Sequence, residues 1–297
     1  MPNINEVMLY DARRGLGTNV AMLVDMNVNA VLGVVVACVL GSQCQAQITS
    51  NVFRRVLMIR PAGSESFGTG FTLDADGRQY LITAKHVVAG MKTEGTIEIR
   101  EGENWSPVSV KVFLCDDPID IAVLVPPRQL TVTFPLEPTM ADIRYGQDVY
   151  FVGFPYGLFT SGQNVNGSFP VAFIKKAVMS ASTNDHGATL LFLDGQNNPG
   201  FSGAPIVYRD LDKTDFTFKL LGVVSGFRFD RNPVLKPVEI KPGEEKPEDM
   251  ARGRIIKKNG HVYRLAETEE LVDFNTGIIA GYSIQHRPNF QVVFNAR

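Results

Sequence analysis

The sequence predicts an all-β protein of two antiparallel β-barrels, each of the six-stranded type, with a cleft between them. Three observations carry this. From Val52 onward, apolar and polar residues alternate in short β-branched runs, which is the period of a half-buried strand. Closely spaced turn signals bound the runs, among them Asp76-Gly77 and Asn259-Gly260, pairs that tolerate the positive φ a tight hairpin needs. The pattern breaks at Pro126-Pro127 and resumes at Asp148. Many short strands with close turns argue for barrels or sandwiches over βαβ units.

Taken in order, strands are expected over residues 52–60, 79–83, 96–100 and 108–113, with Gly102-Glu103-Asn104 turning the last pair. Leu130 to Met140 reads as a connector, and a second series opens with Asp148-Val149-Tyr150-Phe151-Val152. The first barrel then spans about residues 52–127 and the second about 141–290. Pro233, Pro237, Pro242 and Pro247 stand among Lys and Glu, so residues 230–252 are expected to form a surface loop. A hairpin at Asn259-Gly260 follows, and Gly277 to Ile284 is the expected closing strand.

The N-terminal region differs. Ala30 to Leu40 is an uninterrupted apolar run, the length of a signal-peptide core and short of the ~20 residues that span a bilayer. Residues 1–46 are therefore expected to be an export signal, with Gln47 the first mature residue. The long leading segment with Glu6, Asp11 and Asp25 leaves a later start at Met22 or Met26, or a retained membrane anchor, open. Cys38 and Cys44 fall in this leader, which leaves Cys115 alone in the mature chain and no intramolecular disulfide. A protein held by its core alone and exported to a periplasm or medium fits that count. The net charge of −2 gives no electrostatic reason to bind nucleic acid or an anionic membrane.

Three strings carry chemistry: Thr83-Ala84-Lys85-His86, Asp120-Ile121-Ala122-Val123-Leu124, and Asn198-Pro199-Gly200-Phe201-Ser202-Gly203. In the order His, Asp, Ser they supply a general base, its orienting carboxylate and a nucleophile. A Ser hydroxyl is a poor nucleophile until a base takes its proton. His86 follows an apolar strand, whereas His186, His261 and His286 stand in turn-like or polar settings and read as surface residues. Asp120 heads an apolar strand, while Asp116 and Asp117 read as loop. No clustered ligands call for a metal, and nothing calls for a cofactor.

These strings resemble the trypsin-like (chymotrypsin-fold) serine peptidases, in particular the bacterial HtrA-like branch, where an Asn-Pro-Gly-x-Ser-Gly run holds the nucleophile. Gly68-Thr69-Gly70-Phe71, Gly153-Phe154-Pro155-Tyr156-Gly157 and Leu221-Gly222-Val223-Val224-Ser225-Gly226 extend the likeness over about residues 52–290. The resemblance implies a serine endopeptidase acting on polypeptides through an acyl-enzyme, with catalytic His86, Asp120 and Ser202. It further implies an oxyanion hole from the amides of Gly200 and Ser202, and substrate contacts at Gln196, Ser225, Gly226 and Phe227. Phe201 stands where trypsins carry the acid that pairs with a new N-terminus, so activation by that route is not expected. Gln196 replaces the acid that gives trypsin its Arg/Lys preference, and Phe227 is large where many relatives are small; small or medium uncharged residues are expected before the scissile bond, with the alternative that Phe227 points into the second barrel's core, since a one-residue strand shift exchanges its faces. About 13 residues follow the closing strand, too few for a PDZ domain. The alternatives are an inactive relative using the cleft to bind peptides and a membrane-tethered structural protein; the chain order argues against an α/β-hydrolase, where Ser comes first.

Overall fold

The computed structural model describes residues 48–161, 166–185, 187–211 and 217–286. The expected leader with Cys38 and Cys44, the start at Gln47, the turn at His186 and residues 287–290 of the second barrel lie outside the described residues.

Six antiparallel strands form the first barrel: β1 (Val56–Pro61), β2 (Gly68–Ala75), β3 (Arg78–Thr83), β4 (Glu94–Glu101), β5 (Asn104–Leu114) and β6 (Ala122–Val125). They close in the order β1-β2-β3-β6-β5-β4. Asp76 and Gly77 both take positive φ, 49° and 72°, as a two-residue hairpin twisted with its strands requires. Leu57, Ile59, Leu81, Ile97, Val110 and Leu124 fill the interior. Val52 and Phe53, expected to begin the first strand, instead lie in the short helix α1 (Ser50–Phe53).

The second barrel is built from β7 (Asp148–Gly153), β8 (Phe173–Asp185), β9 (Ala188–Asp194), β10 (Pro205–Arg209), β11 (Phe218–Ile240) and β13 (His261–Ser283), with β12 (Ile255–Lys258) outside it. The sheet order is β11-β10-β7-β8-β9-β13-β12, and pairing of β11 with β13 closes the ring. Phe151, Met179, Leu191, Phe201, Ile206 and Leu221 pack inside it. A further apolar cluster joins the barrels, with Phe71, Ile82 and Val123 of the first against Val152, Phe154, Val207 and Val223 of the second. Burying both faces of β3 and β7 in this way fixes the strands whose ends carry the candidate site.

Residues 230–240 are strand, which corrects the expected loop. β11 and β13 are each 23 residues long and run on past the barrel as a two-stranded ribbon, paired from Phe229↔Asn275 to Ile240↔Val262. The helix α2 (Pro247–Ala251) and the hairpin β12–β13 stand at its far end. The physical reason is that Pro, Lys and Glu are also the residues of a protected strand edge. Pro233 and Pro237 sit in register opposite Leu271 and Leu265, which proline allows when its nitrogen faces away from the ladder.

Arg55 ties the inter-barrel connector to the first barrel. Its fully buried guanidinium donates to Asn51 O at 2.6 Å, to Thr72 O at 2.6 Å and to Phe134 O, and pairs with Asp74 at 3.7 Å. The planar fork reaches all three carbonyls at once, which an ammonium cannot. Arg55→Ala leaves Asp74 without its counter-charge and three carbonyls without a donor. It should cost about 3–5 kcal/mol in urea unfolding, and Arg55→Lys should restore only part of it.

Candidate active site

His86 lies on a 3-10 turn, Lys85–Val88, directly after β3, and its side chain is half exposed. Asp120 precedes β6 in a loop held by Ile119 N–H to Asp116 O at 2.9 Å and Cys115 N–H to Ile121 O at 3.0 Å. The Asp120 carboxylate collects three donors. His86 Nδ1 lies 2.7 Å from Oδ2, the His86 backbone N–H donates to Oδ1 at 3.0 Å, and the Ser225 hydroxyl donates to Oδ2 at 2.5 Å. Burial opposes ionisation here, but the hydrogen bonds from His86 and Ser225 outweigh it and hold the Asp120 carboxyl below its usual value.

Ser202 sits in the loop between β9 and β10, and its hydroxyl donates to Ser225 O at 3.4 Å. Glycines let this loop lie against the first barrel. Gly200 has φ 101° and Gly203 φ 84°. A Cβ at Gly200 would stand 2.1 Å from Phe154 O, and one at Gly203 2.1 Å from Thr69 O. Thr69 clamps the loop from β2: its N–H donates to Ser202 O at 2.8 Å, and its Oγ1 donates to Gly200 O at 2.7 Å. Among the described residues, the N–H groups of Gly200 and Ser202 donate to no protein acceptor.

A second clamp comes from β8. Lys175 Nζ donates to Gln196 O at 2.7 Å and to Asn198 Oδ1 at 2.5 Å, and lies 5.7 Å from the centre of the Phe201 ring. Burial lowers the Lys175 ammonium from its ordinary value. Asn198 Nδ2 donates to Tyr156 OH at 3.2 Å, while Tyr156 N–H donates to Pro199 O at 2.7 Å. Phe201, where an acid would stand in trypsins, is fully buried edge-on to Phe151 at 4.8 Å.

The expected substrate residues separate. Ser225 is half-buried at the seam, tied to both Asp120 and Ser202. A Cβ at Gly226 would meet nothing within 4 Å. Phe227 is half-buried and pairs with Ile279 of β13. Gln196 is exposed and meets Lys175 through its carbonyl.

Sequence reasoning missed Thr69, Lys175 and the Ser225 link to Asp120. Only Thr69 left a signal, being flanked by Gly68 and Gly70, where an added Cβ would crowd Val87 or Ile59 and Leu81. His286, read as a surface residue, is half-buried; its Nε2 accepts the Thr189 N–H at 2.7 Å and its carbonyl accepts the Cys115 thiol at 3.2 Å. His261 is exposed beside Glu239. Burial pushes the Cys115 thiol up to about 12, which suits an inert apolar role. A cavity of about 1120 Å³ is lined by Asp74, Gly77, Arg78, Lys111, Pro126 and Arg128, and holds none of these site residues.

Residues 68–212 match the family model of the trypsin-like peptidase domain, and this stretch is accordingly the domain of a serine-type endopeptidase. No curated protein matches the chain. Among solved structures, the chain resembles the active form of the Rv3671c protease from M. tuberculosis at 23% identity, covering 60% of this chain and 72% of that one, with TM-score 0.42. It resembles the HtrA-type protease AlgW with tripeptide at 18% identity, covering 80% of this chain and 58% of AlgW, with TM-score 0.47. For Deg5 the identity is 21%, the coverage 59% and 80%, and the TM-score 0.42.

Two outcomes follow from this geometry. Thr69→Val keeps the side-chain shape but removes the donor to Gly200 O; leaving that carbonyl unpaired should cost about 1–3 kcal/mol in urea unfolding. The second concerns acid. A carboxyl held below its unfolded value stabilises the fold fully above the ordinary range near pH 4, and that contribution is lost as pH falls through the folded value. The stability difference between wild type and Asp120→Asn should therefore narrow between pH 7 and pH 3, and a difference that widens would reverse the sign assigned here.

Proposed function

We propose that the protein cleaves polypeptides with Ser202 as nucleophile, His86 as general base and Asp120 as the carboxylate that orients it. The observation that supports this reading is the Asp120 carboxylate held between His86 Nδ1 and the Ser225 hydroxyl. With Nδ1–H committed to Asp120, Nε2 is the nitrogen free to take a proton. Ser202 Oγ attacks the scissile carbonyl carbon while its proton passes to Nε2, and the new oxyanion is received by the N–H groups of Gly200 and Ser202. The intermediate collapses as Nε2 returns the proton to the leaving amine. Water then repeats both transfers on the ester and frees Ser202. In this structure the Ser202 hydroxyl donates to Ser225 O at 3.4 Å rather than to His86 Nε2; the catalytic hydrogen bond between nucleophile and base often forms or tightens only in the complex.

Substrate adds as a strand to the edge at Ser225, Gly226 and Phe227, where backbone bonds give affinity and side-chain pockets select. With Gln196 neutral and Phe227 large at that edge, small or medium uncharged residues are preferred before the scissile bond. The chain acts after export, with the mature protein starting near Gln47, in a periplasm or medium; membrane association follows only if the leader persists as an anchor.

Labelling by a fluorophosphonate probe tests the reading. Wild type should label, Ser202→Ala should not, and His86→Ala should label far more slowly. In peptide hydrolysis each single variant should lose most activity, and the double variant little more, because such residues act as one unit. Independent, multiplicative losses contradict the assignment, and a folded wild type that never labels points to a peptide-binding module.

A further inference from the structure

β11 loses one neighbour where it passes the candidate site and keeps the other. Its pairing with β10 ends at Pro205↔Val223, whereas pairing with β13 continues to Ile240↔Val262. From Ser225 outward β11 therefore has one edge laddered to β13 and one edge outside both ladders. That edge starts beside Ser202 and passes two irregularities, at Val224/Gly226 and Phe227/Phe229, before it enters the ribbon.

The prolines set how far it stays open. Pro233 lies opposite Leu271 and Pro237 opposite Leu265, so both nitrogens face away from β13. The register from Phe229 to Pro233 is unbroken, and backbone groups alternate in direction along a strand. Counting back in twos, Arg231 and Phe229 also turn their N–H and C=O groups outward. An independent contact agrees: the Arg231 N–H donates to Asp230 Oδ1 at 3.1 Å. The edge thus turns outward the N–H and C=O of Phe229 and the C=O of Arg231, whose N–H the Asp230 carboxylate already holds. Beyond that, Pro233, Lys236 and Pro237 carry the usual protection against strand pairing. Exposed Phe229 lies on the open stretch itself.

We propose that the β11 edge from Arg228 to Asn232 is a second recognition surface, which takes an extended, unfolded segment of the polypeptide substrate N-terminal to the scissile bond. This rests on the reading of Ser225 to Phe227 as the substrate edge. β11 runs away from Ser202, so a substrate strand added antiparallel places residues ever further upstream of the scissile bond along the ribbon. From Ser225 to Asn232 this is about eight residues, or roughly 26 Å of strand. Backbone pairing supplies sequence-tolerant affinity, and exposed Phe229 on the pairing strand favours an apolar side chain beside it.

Fluorogenic peptides of one cleavage sequence, extended upstream from four to ten residues, test this on the wild-type protein. The value of kcat/KM should rise at least fivefold with length, and N-methylation of the upstream amides in the long peptide should abolish the gain. Arg231→Pro, which brings the natural block one step closer to the cleft, should lower the long-to-short ratio toward one. No gain with length, or a gain indifferent to N-methylation, overturns the proposal even when fluorophosphonate labels Ser202. Loss of labelling in wild type is instead the failure of the site reading. A dimer in sedimentation that Arg231→Pro dissociates, with the long-to-short ratio unchanged, would assign the edge to a second copy and overturn the proposal as well.

Discussion

One part-buried carboxylate sets the terms for the rest of the site. Asp120 belongs to the first barrel, yet one of its three donors, the Ser225 hydroxyl, comes from the second. A charge taken out of water is tolerable only when donors replace the lost hydration, so the ionised Asp120 requires both barrels to be in place. The same contact decides where other groups go. His86 is held through its backbone N–H as well as its ring, which fixes turn and imidazole together, and the strand carrying Ser225 is held at the depth where its carbonyl meets Ser202. The apolar cluster between the barrels supplies the binding free energy of the seam; the carboxylate supplies its register.

The loop bearing Ser202 is shaped by contact rather than by an internal ion pair. Phe201 fills the second core, a burial that stabilises without a desolvated charge. The polar work passes to Lys175, Tyr156 and Thr69, which approach from β8, from the turn after β7 and from β2 and hold successive groups between Gln196 and Ser202. Gly200 and Gly203 matter because neighbouring carbonyls occupy the space a Cβ would need. A loop fixed at so many points can hold N–H groups toward a developing charge without reorganising, which is where electrostatic catalysis gains most.

What was legible in the sequence was local. Alternation located β3, β4, β5 and β7 because a strand's period is two, and Asp76-Gly77 and Asn259-Gly260 located hairpins because those residues bear positive φ. The three site strings were legible because each combines a reactive side chain with neighbours that constrain its backbone. Long-range polar contacts were not. Arg55 bonds to carbonyls as far as 79 positions away, the Ser225 hydroxyl reaches across 105, and His286 meets Thr189 across 97. Partners so far apart leave no local pattern, and the carbonyls that Arg55 meets carry no side-chain signature either. The ribbon was misread for another reason: the residues that protect a strand edge are the residues that fill loops.

Asp120 and Ser225 are expected to act as one unit across the seam between the barrels. A double-mutant cycle on kcat/KM with Asp120→Asn and Ser225→Ala measures it directly, because it isolates the pairwise part of the two losses. The account predicts strong non-additivity: once the Asp120 charge is gone, removing the Ser225 hydroxyl costs little more. Two losses that simply add, in variants that remain folded, would contradict it.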